Sequence, residues 1–290
     1  MNDQAEQLRR KLRNGEDKAS AKTIAVISGK GGVGKSNFSL NFSLSLQEKG
    51  HDVLLLDLDI GMGNIDVLLG LASPYSAADY FAGNASLEKI ISVGPHGLHY
   101  IAGGTGLSQL AEISAPVLDQ FFREFSELFS KYEYIILDMG AGISTQSLHF
   151  ILSVNELIAV TTPEPTSLTD AYAALKFIHL RDNKMPVSIV VNKAETEKEA
   201  ASAFIRISNV MESFLGKKVT RLGAVPDDRS VQQAVRKQTP YLLYKRSSAA
   251  SRATLDIADF FLQQNGKQQA DGKVPFMSRL KQLLFEKGRS

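Results

Sequence analysis

The chain has 290 residues, 43% of them hydrophobic and 22% charged, with 33 Lys and Arg against 31 Asp and Glu for a net charge of +2. This is ordinary for a soluble globular protein with room for one large α/β domain or two small ones, and it is no polyanion-binding signature. The absence of cysteine excludes disulfides, cysteine-held iron–sulfur clusters and cysteine zinc sites.

Residues 1–20 are polar and charged. In Asp3-Gln4-Ala5-Glu6-Gln7-Leu8-Arg9-Arg10-Lys11-Leu12-Arg13 only Ala5, Leu8 and Leu12 share a helical face. So thin a stripe buries little area, and the segment reads either as a solvated tail or as a peptide that orders on a partner. It is not a secretory signal. No apolar run reaches the ~20 residues of a membrane span, so the expected location is cytoplasmic.

From Thr23 onward strands and helices alternate. Strands are expected at 23–28, 53–58, 98–102, 133–138, 157–162, 186–191 and 220–225. Helices are expected at 36–49, 115–131, 145–154, 167–181, 195–215, 229–237 and 247–264. Short connections join them, and the pattern predicts an α/β fold: one domain over 22–265, built on a mostly parallel sheet of about seven to eight strands with helices on both faces.

The first strand runs into Gly29-Lys30-Gly31-Gly32-Val33-Gly34-Lys35-Ser36, which fits the phosphate-loop pattern G-x-x-x-x-G-K-[ST]. Glycines let the backbone wrap and aim its N–H groups at phosphate oxygens, with a helix N-terminus behind them. Lys35 then reaches the β- and γ-phosphates, and the Ser36 hydroxyl ligates Mg²⁺. Asn37 follows and is counted among the nucleotide-contacting residues. Beyond it Phe38, Leu40, Phe42, Leu44 and Leu46 alternate with polar residues, a strand signal by itself. The loop requires a helix directly after Lys35-Ser36, so the helix reading takes precedence. The second lysine, Lys30, is not needed by an ordinary phosphate loop. It either points to a facing subunit or is solvated.

Two further strands end in acids. Asp57 and Asp59 close strand 53–58 and would face a nucleotide crevice, meeting Mg²⁺, lysine or water; strand-end capping is the alternative. Asp138 closes the apolar run Tyr134-Ile135-Ile136-Leu137, a pattern whose carboxylate holds Mg²⁺ through water; a structural cap is again the alternative. Met139-Gly140-Ala141-Gly142 then supplies a loop able to sense a γ-phosphate. Asn192 ends strand 186–191, and its amide suits an adenine edge because it donates and accepts at once. Pro226 and Asp227 follow strand 220–225 and fit either a base-contacting loop or helix-start chemistry. Gly103-Gly104-Thr105-Gly106 lacks the dinucleotide spacing and reads as a turn. The five histidines do not cluster, and no zinc site or Ser/His/Asp constellation stands out.

A last segment, 274–288, has Phe276, Met277, Leu280, Leu283 and Leu284 within an arc of roughly 120°. Arg279, Lys281 and Lys287 flank or extend it. A short, basic, amphipathic helix reads as a membrane-surface anchor or as a helix packed on the core or in a partner's groove. Phe285, off the stripe, leans toward the enclosed alternatives.

The loop's GKGGVGKS form resembles the deviant Walker A loop of the MinD/ParA/nitrogenase-iron-protein class, and the resemblance spans 22–265. It implies a P-loop NTPase fold of the MinD (SIMIBI) type that binds ATP or ADP with Mg²⁺. It implies that Lys30 crosses an ATP-bound homodimer to the partner's phosphates, so that Lys30, Lys35 and Asp59 carry catalysis. Asp59 matches the residue that places the attacking water, Asp57 one near the Mg²⁺ shell, Asn64 a support of the first switch, and Gly142 a backbone donor in the second. Met139 and Gly140 stand where the family often has Pro or Thr. Pro226 and Asp227 match the second base-contacting loop.

The N-terminal segment and the basic C-terminal helix together resemble the FlhG (YlxH or FleN) family, MinD-type ATPases that set flagellar number and placement. That resemblance implies a slow ATPase, cytoplasmic and peripherally bound to anionic membrane in its ATP state. It implies that segment 1–20, through Gln4 and Leu8, stimulates the signal-recognition-type GTPase FlhF, and that flagellar C-ring proteins are partners. Two other functions stay open. A ParA-like partition ATPase would bind DNA non-specifically, which the balanced charge disfavours. An adaptor would hold nucleotide without significant turnover. A cluster carrier is disfavoured by the lack of cysteine.

Overall fold

The computed structural model describes residues 21–59, 64–103, 115–265 and 275–286. Its centre is built from apolar runs rich in Val, Ile and Leu. β1 (Lys22–Ile27) leads through the glycine-rich loop into α1 (Lys35–Glu48) and then β2 (Val53–Leu58). Three short helices, α2 (Ile65–Leu69), α3 (Ala77–Phe81) and α4 (Leu87–Ile90), precede β3 (Ile91–Val93) and β4 (His99–Ile101). Next come α5 (Ala115–Phe129), β5 (Tyr134–Met139), α6 (Thr145–Ser153), β6 (Glu156–Thr161), α7 (Pro165–His179), β7 (Val187–Ala194), α8 (Glu197–Leu215) and β8 (Thr220–Pro226). The last described elements are α9 (Arg229–Arg236), α10 (Tyr241–Tyr244), α11 (Ala249–Asn265) and α12 (Phe276–Glu286).

The eight strands form one sheet in the order β3-β4-β2-β5-β1-β6-β7-β8. Every pairing is parallel except β3 with β4. Side chains alternate between the two faces, and both faces are buried. In β1, Ala25 and Ile27 join the core that holds α5, α6, α7, α8 and α12. Ile24 and Val26 join the opposite core, with α1, α2, α10 and α11. β1 sits between β5 and β6, with β2 beyond β5. The C-terminal ends of β1, β2 and β5 are therefore neighbours, and crevices at such ends are where open α/β sheets bind ligands.

All seven expected strands and all seven expected helices of the central region are present, with ends moved by up to three residues. The pattern missed β3, too short to show alternation, and α2, α3, α4 and α10, each of four or five residues. The helix reading of 36–49 is correct. From Phe38 to Leu46 α1 is buried on all sides, which explains its strand-like alternation, since no face is left for water to mark. Its polar side chains bond to carbonyls one turn back: Asn41 Nδ2 to Asn37 (2.8 Å), Ser43 to Ser39 (2.7 Å) and Ser45 to Asn41 (2.8 Å). Asn41 Oδ1 also accepts from the Leu242 N–H at 2.9 Å.

α12 lies on the same core as the sheet, against α6 and α5. Phe276, Met277 and Leu280 are buried there, and Leu283 and Leu284 are half-buried. Arg279 donates to the Val154 carbonyl at 3.2 Å, and Lys281 pairs with Asp119 at 2.8 Å. The apolar stripe expected to face a membrane is thus covered by the protein in this conformation, because an aromatic cleft between α5 and α6 (Phe122, Phe129, Phe150) receives it. Phe285, whose place off the stripe leaned toward an enclosed helix, is itself 45% exposed, with its ring 6.4 Å from that of Phe122.

Candidate nucleotide site

The glycine-rich loop is held from three directions. Gly29 lies against α7 so closely that a Cβ there would sit 2.1 Å from the Asp170 carbonyl carbon. Gly34, with φ 88°, caps α1, and a Cβ on it would fall 2.3 Å from Asn192 Nδ2. These two positions admit only glycine. From the third direction Asn192 Nδ2 donates to the Val33 carbonyl and Lys193 Nζ to the Gly32 carbonyl, each at 2.7 Å. The amide expected to meet a base is here committed through its donor to the loop itself.

Lys35 is buried and turned inward. Its Nζ lies 2.8 Å from Asp138 Oδ1 and 3.3 Å from Ser36 Oγ. Ser39 donates to the same carboxylate oxygen at 2.7 Å. Asp138 is fully buried, and its other oxygen, Oδ2, has no hydrogen-bond partner. A buried carboxylate oxygen left unpaired is costly, and Lys35 Nζ, bonded to both Asp138 and Ser36, brings that carboxylate and the Ser36 hydroxyl around one cation position. Ser36 and Asp138 are therefore suited to hold Mg²⁺.

Asp57, expected near the Mg²⁺ shell, is engaged by backbone N–H groups in this structure. It stands beside Asp138 across the β2–β5 pairing, but its carboxylate accepts from the backbone N–H groups of Asp59 (3.1 Å), Asn64 (2.8 Å) and Ile65 (3.2 Å). It caps the segment leading into α2, the alternative that the sequence left open. Burial, and secondly the charge of Asp138, push its pKa up to about 6 against the pull of those three bonds. Asp59 accepts from Asn64 Nδ2 at 3.3 Å. A Cβ on Gly140 would lie 3.2 Å from Asp59 Oδ1, so the loop after β5 runs directly past Asp59. The Gly142 N–H donates to the Ser28 carbonyl at 3.2 Å, tying that loop to the phosphate loop.

Lys30 reaches across to the start of α7. Its Nζ is 2.6 Å from Glu164 Oε2 and 3.1 Å from Thr166 Oγ1, and it holds the Glu164 carboxyl below its usual range. Pro226 ends β8; the Asp227 N–H donates to the Ala194 carbonyl at 2.9 Å. Helix-start chemistry falls to the next residue: Asp228 accepts from the Ser230 N–H at 2.8 Å and the Ala250 N–H at 3.1 Å. Asn37 follows Lys35 and Ser36 in the first turn of α1. Gly31, Gly32 and Val33 complete the loop.

The structure thus brings Lys30, Lys35, Ser36, Asp57, Asp59, Asp138, Gly142 and Asn192 around one loop. Gln4 and Leu8 lie outside the described residues, as do most of the expected turn at 103–106 and residues 60–63 beside Asp59. Sequence reasoning missed Ser39, Glu164, Thr166 and Lys193. Ser39 was legible as the residue one helical turn after Lys35. The others gave no local signal, because their partners are 134 to 161 residues away.

The model of the ParA family, described as the NUBPL iron-transfer P-loop NTPase, matches residues 19–262. The antiactivator FleN of Pseudomonas aeruginosa is 34% identical over 228 residues, 78% of this chain and 81% of FleN. The flagellum site-determining protein YlxH of Helicobacter pylori is 36% identical over 225 residues, 77% of this chain and 76% of YlxH. Among solved structures, MinD of Pyrococcus horikoshii with Mg-ADP superposes with a TM-score of 0.68 at 23% identity, covering 86% of this chain and 99% of that one.

Proposed function

We propose, for a chain that belongs to the ParA family of P-loop NTPases and is related within it to the flagellar regulators FleN and YlxH, that it is an ATP-driven dimerising switch regulating flagellar number or placement. The observation that carries this reading is the joint placement of the two loop lysines. Lys35 lies inside, on a buried carboxylate, and Lys30 lies outside, on an exposed one. An ordinary phosphate loop uses only the first.

In the mechanism, Lys35 exchanges Asp138 for the β- and γ-phosphates, and loop N–H groups surround them. The exchange releases Asp138 for metal work: Ser36 and Asp138 would hold Mg²⁺, which when bound neutralises charge on the phosphates. Asp59, beside the loop at Gly140, orients the attacking water, and Gly142 senses the γ-phosphate through its backbone N–H. Asn192, with Pro226 and Asp227, meets the base once its bond to the Val33 carbonyl is given up. Lys30 leaves Glu164 and crosses to the partner subunit's nucleotide. The iron transfer in the family model's description does not extend to this chain through cysteine ligation, since it has none.

Dimerisation, in this reading, also releases α12. Phe276, Met277, Leu280, Leu283 and Leu284 would then reach an anionic membrane surface, two copies acting together. Segment 1–20, through Gln4 and Leu8, would stimulate the GTPase FlhF, and C-ring proteins would be the flagellar partners.

The test is light scattering and turnover with ATP and with ADP. Wild type is expected to dimerise only with ATP and to hydrolyse it slowly. Lys30→Ala should bind nucleotide as a monomer, and Asp59→Ala should stay dimeric with ATP intact. A Lys35→Ala protein that still dimerised with ATP would overturn the proposal. Sedimentation with anionic liposomes checks the release of α12.

A further inference from the structure

A cleft of about 470 Å³ lies at the β8 edge of the sheet, lined at one end by Ala194 and Pro226, which close β7 and β8. Among the described residues β8 pairs with β7 alone and ends the sheet order, so the other side of its backbone has no described strand beside it. The first turn of α8 and one face of α11 wall the cleft. Small residues make the room: Gly223 and Ala224 on the strand, Ala200 and Ala253 on the helices. Ile257 and Phe260 give it an apolar side, and Phe260 is 39% exposed. Three acids, Glu195, Glu197 and Asp256, stand around it. Glu197 pairs with Arg221; Glu195 and Asp256 face no ion-pair partner among the described residues.

An open strand edge, an apolar wall and unpaired carboxylates select an extended peptide that carries both leucine-like and cationic side chains. This chain holds one, Leu8-Arg9-Arg10-Lys11-Leu12-Arg13. Its tether fits. Lys22, where β1 begins, donates to Asn265 at the end of α11, and α11 is the helix that walls the cleft. Phe260, Asp256 and Ala253 lie about 8, 14 and 18 Å up that helix from Asn265, at ~1.5 Å per residue. Residues 8–13 are separated from Lys22 by 9 to 14 positions, and a coil of that length has an end-to-end span of roughly 16–22 Å. A tether whose natural reach matches the span gives the highest effective concentration.

We infer that the cleft at the β8 edge docks the chain's own basic segment, Leu8 to Arg13, as an added strand. The docked segment is withheld from other partners, and Glu195, Glu197 and Asp256 set its affinity. Pro226, assigned above to the base, also lines the cleft, so the contact is tested without nucleotide, where it needs nothing from that reading.

Because the protein has no cysteine, paired cysteines introduced into the full chain report this contact cleanly. Arg10→Cys would be combined with Ala253→Cys at the cleft, or with Lys131→Cys as a control on an exposed turn near the base of the sheet. Each dilute protein is treated with a short bismaleimide. An intramolecular cross-link at least about tenfold more abundant for Ala253→Cys is expected from the effective concentration of a seated segment. It should fall with added salt and with Glu197→Lys plus Asp256→Lys, and return when Arg9→Glu and Lys11→Glu are added. Equal yields at the two sites, or a cross-link appearing only between chains, would overturn the inference. Indifference to both charge reversals would equally remove the acids from their role.

Discussion

Removing Lys35 is expected to destabilise the nucleotide-free protein as well as to disable the site. Its ammonium lies 2.8 Å from Asp138 Oδ1, with 7% and 0% of the two side chains exposed. At an effective dielectric near 20 that separation corresponds to a gross attraction of about 6 kcal/mol. Desolvation offsets part of this, and breaking one side of such a buried pair costs about 3–5 kcal/mol. Asp57, across the strand pairing, adds repulsion on a carboxylate stripped of its cation. Asp138→Asn alone leaves a buried lysine unpaired and should fall in the same range. The double variant Lys35→Ala/Asp138→Asn removes both charges and keeps a hydrogen-bonding amide for Ser39. The two losses should therefore fail to add, with a coupling of about 2–3 kcal/mol. Urea unfolding of the four nucleotide-free proteins at neutral pH measures it. Losses that add to within about 0.5 kcal/mol would refute the idea that Lys35 is a structural counter-ion waiting for phosphate.

Asp57 should give stability a pH slope. Its pKa rises from 3.8 to about 6 on folding, so between those values the native state holds a proton that the unfolded chain has released. Stability of the nucleotide-free protein therefore falls as pH rises from about 4 to about 6, by up to roughly 3 kcal/mol from this group, and levels off above. Asp57→Asn should lack that component in unfolding curves collected across the range, and an unchanged slope would contradict the assignment. Gly29→Ala places a methyl 2.1 Å from the Asp170 backbone; a loss of at least about 1–3 kcal/mol is expected in thermal unfolding, with the loop displaced from α7. Leu280→Ala, at a fully buried position, should weaken the seat of α12 by about 2–5 kcal/mol. Faster amide exchange confined to 276–286, with the β1 amides unchanged, is its signature. Uniform exchange across both would mean that the helix does not undock independently.

The sheet was legible in the sequence because its central parallel strands are buried apolar runs closed by a turn, and that pattern survives without any knowledge of partners. β3 was not, since three residues carry no period and its antiparallel pairing is set by β4 alone. At the site, the loop and the acids at strand ends were visible because strand ends and glycine spacing are local. What the acids do was not. Asp57 and Asp138 occupy equivalent strand ends, yet one is saturated by three backbone N–H groups and the other keeps a free oxygen. Only the path of the chain after each strand separates them. Similarly, the apolar stripe of α12 was plain in the sequence, while the cleft that covers it is assembled from α5 and α6, far upstream.

The burial of α1 on every side bears on how the protein tolerates change. Nine successive side chains from Phe38 to Leu46 touch no solvent, so a saturation scan would meet an unbroken block of intolerance beginning right after the phosphate loop. Four of the nine are serine and asparagine, residues usually free to vary on a helix. Such a profile would look like an extension of the nucleotide site, although these positions fill volume and satisfy carbonyls. Selection on the loop and selection on the core are continuous here along one helix, and drift in either is constrained by the other.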